Sequence, residues 1–274
     1  MPSRQLDLFD VVESGAKIPE VPVGWARVVA GELDDAALVA AIPGAARHEC
    51  QGLAAEAGRR RLASAVPALK ALCRRFAGLG RERAIPEQAA AFEALAAIGG
   101  SAAAAAAADL IVTRVIEGPG LGVALSVAAR LGVRLPGEVA APLLCAAEAE
   151  LRASACGCVR PSPALIPLLI RLLADTDSRV AYEAALALGR IGHSEARPAL
   201  SRLLREMPSP RVIDAAIAVA DEECLILLGR LARTRPDLAD AALVGLDDSD
   251  SPRAATIAAA VRRSLAPPDA SFQR

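Results

Sequence analysis

Ser162 to Leu204 reads SPALIPLLIRLLADTDSRVAYEAALALGRIGHSEARPALSRLL, and this stretch decides the fold. Leu165, Leu168, Leu169, Leu172 and Leu173 fall at i, i+3, i+4, i+7 and i+8, one apolar stripe of a helix. A polar turn from Asp175 to Ser178 follows, in which Asp177 or Ser178 can cap the next helix. That second helix lays Val180, Ala184, Ala187, Leu188 and Ile191 on one face and stops at Gly192, a left-handed C-cap. Ser194 opens a third helix that begins like the first.

The unit recurs along the chain. Pro67-Ala-Leu69, Pro142-Leu-Leu144, Pro167-Leu-Leu169 and Pro198-Ala-Leu200 are each expected to open an apolar helix, since a first-turn proline gives up no bond. Leu95-Ala-Ala-Ile-Gly99 matches Leu188-Gly-Arg-Ile-Gly192 at a separation of 93 positions, three periods of 31. Ala129-Arg-Leu-Gly132 is a looser copy, and Asp214-Ala-Ala216 and Asp240-Ala-Ala242 are eroded ones. With Ala, Leu and Gly at fixed places, the unit resembles the HEAT-like repeats described in phycobilisome-lyase-related proteins. The resemblance implies an all-α, right-handed α-solenoid of roughly seven helix pairs, whose stacking exposes a concave wall. The expected division is a tail over 1–24 (broken by Gly15, Pro19, Pro22 and Gly24), a solenoid over 25–266 and a polar end over 267–274.

Composition agrees with helices packed at close range. Of the 274 residues 54% are apolar but only 2% aromatic, which leaves alanine to fill the interior. The net charge of −1 gives no whole-chain attraction to nucleic acid or to an anionic membrane. Six scattered cysteines show no disulfide framework, and most read as small core residues. MPSRQLDLFD lacks the basic and apolar regions of a signal peptide, and Ser101–Ile116 is too short and too weak to span a bilayer. The expected compartment is the cytoplasm.

Four motifs bear on function. Gln5, Leu6, Asp7, Leu8 and Phe9 resemble the pentapeptide by which bacterial polymerases and repair proteins dock on the ring-shaped DNA sliding clamp, with no departure from that pattern. The resemblance implies that Leu8 and Phe9 fill an apolar pocket while Gln5 makes hydrogen bonds beside it. A basic band follows, in which Arg59, Arg60, Arg61, Arg74 and Arg75 are candidates for phosphate contact on duplex DNA; the bland reading is a solvated face and helix C-termini.

His48-Glu49 superficially resembles the iron-binding pairs of HEAT-repeat deoxyhypusine hydroxylases. His193 is followed by Ser194, so a second pair is missing and no metal is expected. Cys156-Gly-Cys158 is too short a spacing for a zinc ligand pair and reads as loop thiols or a packed helix end.

HEAT-like folds also include glycosylases for alkylated bases, which need an aromatic surface and a carboxylate around the flipped nucleotide. Trp25 and Tyr182 are far apart, which argues against base capture; an aromatic and a carboxylate meeting in a basic groove would argue for it. The sequence thus predicts a non-enzymatic binding module with no cofactor, tethered to the sliding clamp. Its concave wall takes duplex DNA or a second protein. A scaffold or assembly chaperone unrelated to DNA and a divergent DNA repair enzyme are the alternatives.

Overall fold

The computed structural model describes residues 30–160 and 162–265. Gln5–Phe9, Trp25 and the expected C-terminal end lie outside these residues. Helices follow in pairs: α1 (Asp35–Ala41) with α2 (Arg47–Arg59), α3 (Val66–Arg75) with α4 (Pro86–Ile98), and α5 (Gly100–Val112) with α6 (Gly120–Arg130). Next come α7 (Gly137–Leu144) with α8 (Ala149–Cys158), and α9 (Ile166–Leu172) with α10 (Ser178–Gly189). The array continues through α11 (Arg197–Glu206) with α12 (Pro210–Ile217) and α13 (Glu222–Thr234) with α14 (Pro236–Asp247), and α15 (Pro252–Leu265) closes it. Among the described residues the only β-type pairing is an isolated bridge between Leu135 and Val159. This is an all-α solenoid.

Local chemistry sets the helix ends. Asp177 caps α10 by accepting from the Arg179 and Val180 amides at 2.8 and 3.4 Å. Gly192 takes φ +73°, and the His193 amide reaches back to the Leu188 carbonyl at 3.1 Å, which closes the C-terminus. Leu165, Leu169 and Leu172 are buried, with Leu168 and Leu173 packed against them. Two expectations fail locally. Ile191 is 39% exposed, because α10 ends at Gly189 and the chain has already left the helical stripe. Pro142 lies inside α7 rather than at its start. The amide it lacks would have bonded a first-turn carbonyl, so this two-turn helix tolerates it.

The even-numbered helices form one continuous wall, each touching the next from α2 through to α14. The odd-numbered layer is looser, with sparse contact between α5 and α7 and between α9 and α11. Closer spacing in one layer bends the stack, so the even helices form the inner, concave wall. Missing side chains allow that spacing. A β-carbon at Gly58 on α2 would sit 2.9 Å from the Ala94 Cα on α4, and one at Gly157 on α8 would sit 2.9 Å from the Ala129 Cβ on α6. At Gly189 it would stand 2.6 Å from both the Ala215 carbonyl oxygen on α12 and a Leu200 methyl. Leu200 can rotate away. The carbonyl cannot.

Gly189→Ala should therefore push α10 from α12 and cost about 1–3 kcal/mol, read as a lower urea midpoint. Gly44→Ala, where nothing lies within 4 Å of the added methyl, should stay within about 0.5 kcal/mol of the parent.

Candidate functional site: an arginine-lined groove on the inner wall

The arginines nearest in sequence are spent on holding the first helix pairs. Glu56 is buried on α2 and takes Arg59 at 2.6 and 2.8 Å and Arg60 at 2.7 Å. Arg60 also bonds Asp35 and the carbonyls of Ala30, Gly31 and Leu33. Arg75 donates to the Pro43 and Ala45 carbonyls and lies 4.8 Å from the centre of the Phe76 ring. Arg74 and Lys70 converge on Asp109 at 3.0 Å. Arg61, at φ +52°, forms the left-handed C-terminal residue after α2 and stands clear of these pairs.

The remaining motifs resolve into structural roles. Glu49 folds back to accept the Ala46 amide at 2.9 Å, while His48 stays at the surface. Cys156 and Cys158 are buried at the end of α8, and loss of water pushes both thiols up to about 12. They are a packed helix end. All six cysteines are unbridged, and Cys145 alone among them is exposed.

The structure brings together a different set. A groove of about 1020 Å³ runs along the inner wall across α6, α8, α10 and α12. Arg130, Arg134, Arg179, Arg190 and Arg211 line it against one carboxylate, Glu183. Arg211 grips both oxygens of Glu183 at 2.7 and 3.0 Å, and Arg130 is answered by Glu93 on α4 at 2.6 Å. Arg134 donates only to the backbone carbonyls of Val133 and Gly157. Arg179 has Asp177 no nearer than 3.7 Å. Arg190 has no ion-pair or hydrogen-bond partner among the described residues, and the α8 residues on the groove wall are Ala153, Ser154 and Gly157.

Arg190 is exposed as a residue, yet the walls withdraw its guanidinium from water. That desolvation, with Arg134 and Arg211 facing it, holds its pKa below the ordinary arginine value, and Glu183 offsets only part of the effect. Tyr182 lies beside Glu183 in the same groove. The two are neighbours in the chain, but the sequence gave no notice of the arginines gathered on the same groove. The usable signal was the repeat register: Arg130 and Arg190 each stand two residues before a left-handed glycine, Gly132 and Gly192.

Compared with known proteins, residues 138–221 match the HEAT repeats family. The segment runs from α7 to the turn before α13 and covers less than a third of the chain. The solenoid is HEAT-like. Repeats of this kind make protein-interaction modules, and the same pairing of helices extends on both sides of the match. No curated protein matches the chain. No helix among the described residues is long and apolar enough to cross a membrane.

Glu56 supplies a pH test of the first helix pairs. Its carboxyl is lowered from the ordinary 4.5 to about 2, chiefly by the Arg59 hydrogen bond and then by Arg60. Folding thus favours the ionised form, and this stabilisation is complete above the ordinary value and lost as pH falls toward about 2. Glu56→Gln should be less stable at neutral pH by about 1–3 kcal/mol, and its denaturation midpoint should fall less steeply with acid than the parent's.

Proposed function

We propose that the chain is a non-enzymatic HEAT-like binding module that docks on the DNA sliding clamp through Gln5–Phe9 and acts in DNA replication or repair. The observation that carries the docking is the match of Gln5-Leu6-Asp7-Leu8-Phe9 to the clamp-binding pentapeptide at every position. Leu8 and Phe9 would supply about 1.5–3 kcal/mol each on burial, before the cost of ordering the peptide. That suits a weak tether, which works by raising the local concentration of the solenoid rather than by tight contact. The concave wall, continuous from α2 to α14, supports a second partner alongside the clamp.

One observation favours a second reading. Tyr182 and Glu183 share a basic groove, the combination a base-excising enzyme requires. Glu183 has both oxygens engaged by Arg211, which suits an ion pair that shapes the wall better than a free catalytic carboxylate. Release of alkylated base from a methylated duplex by the parent, and its loss in Glu183→Gln, would replace the binding-module reading by the enzymatic one.

Immobilised clamp should retain the full-length chain, and Gln5→Ala/Phe9→Ala should reduce retention by about tenfold or more, as expected from the loss of one buried aromatic anchor. Equal retention of parent and variant would remove the docking.

A further inference from the structure

We propose that the inner-wall groove is a binding site for the phosphate backbone of duplex DNA, carried by Arg130, Arg134, Arg179, Arg190 and Arg211. The proposal rests on the binding-module reading for the role of the wall, and it is independent of the docking peptide.

The charge is local. The whole chain carries a net charge of −1, yet this groove sets five arginines against one carboxylate. On the inner wall arginines are answered across neighbouring helices, as Arg47 is by Glu87 and, among the groove's own five, Arg130 by Glu93 and Arg211 by Glu183. For the other three the answering fails. Arg134 and Arg190 have no carboxylate within ion-pair distance among the described residues, and Arg179 keeps a distant one. Like charges held together in partial desolvation repel each other, and a bound anion converts that repulsion into attraction.

The spread of the arginines selects the anion. They come from α6 to α12, three helix spacings, or roughly 25–30 Å at the usual interaxial distance. An isolated phosphate would engage one or two of them, whereas a phosphodiester chain meets them all. The planar guanidinium fork suits phosphate oxygens, and the hydroxyls of Ser126 and Ser154 on the same walls add donors. Tyr182 is the only aromatic side chain in the lining, too little to stack a run of unpaired bases, so paired strands fit better than single ones. A groove for protein would carry an apolar anchor at its centre. Here the exposed Met207 and the half-buried Pro208 are set among five guanidiniums, with Arg134 and Arg211 near enough to Arg190 to disfavour its charge.

The test is fluorescence anisotropy of a labelled random-sequence duplex of about 30 base pairs, titrated with the full-length chain between about 50 and about 200 mM salt. If each arginine neutralises one phosphate, log affinity should fall against log salt with a slope near −4.5, a loss of several hundredfold across that range. Arg190→Ala should weaken binding and reduce the slope by about 1, and Arg179→Ala/Arg190→Ala by about 2. Arg190→Lys should restore part of the affinity. Neither arginine holds a buried partner, so both variants should keep the parent's melting temperature, and Arg233→Ala, outside the groove, should bind as the parent does. Absence of binding at the lowest salt, or unchanged affinity in the double variant, would overturn the proposal. Tighter binding of an oligothymidine strand or of a polyglutamate peptide than of the duplex would overturn it too. The titration contains no clamp, so its failure leaves the docking peptide standing, and failure of docking leaves the groove standing.

Discussion

The structure depends on how near the inner helices come to one another. A wall of α2, α4, α6, α8, α10, α12 and α14 needs axes close enough for backbone to meet backbone, and only alanine and glycine at the crossings permit it. The low aromatic content follows from this constraint, since a ring at Gly58, Gly157 or Gly189 would open the wall. Curvature follows as well. The outer helices carry leucines such as Leu169, Leu172, Leu200 and Leu204, which fill the wider space between the layers.

Charge then fixes the register that small residues leave loose. Arg152 on α8 clasps Asp175 at 2.8 Å through two nitrogens and donates to the Ala146 and Ala147 carbonyls, so one side chain ties the α7–α8 turn to the α9–α10 turn. That pairing, with the Asp177 amide, holds the Asp175 carboxyl below the usual carboxylate range. Arg47 with Glu87 and Arg211 with Glu183 repeat the device between successive inner helices. Against this background a set of arginines without answering carboxylates stands out as something the fold does not require.

Much of the architecture was legible because its signals are local. The leucine spacing of α9, the Asp177 cap and the Gly192 stop each depend on a few neighbouring residues, and the structure keeps all three. Pro142 misled because a proline motif specifies a tight first turn only where the helix start coincides with it. The groove was illegible for the opposite reason. Arg130 and Arg211 stand 81 positions apart and are brought onto one groove by the stacking of four helix pairs, whereas Arg59, Arg60 and Arg61 are contiguous and drew notice as a band. Adjacency in the chain marked residues of which Arg59 and Arg60 are held by Glu56, and Arg60 also by backbone carbonyls. What it needed was the position of each arginine within its repeat.

The main contacts of this array, among the described residues, join a helix to its own pair or to the next one. Such a chain unravels from its ends like a rope, each strand loosening only what lies beside it, and the middle is the last to part. The arginine groove occupies the third to sixth of seven pairs. Thermal fraying at α1 or α15 therefore leaves the groove's shape intact, and ends that open and close do so at no cost to whatever is held at the centre.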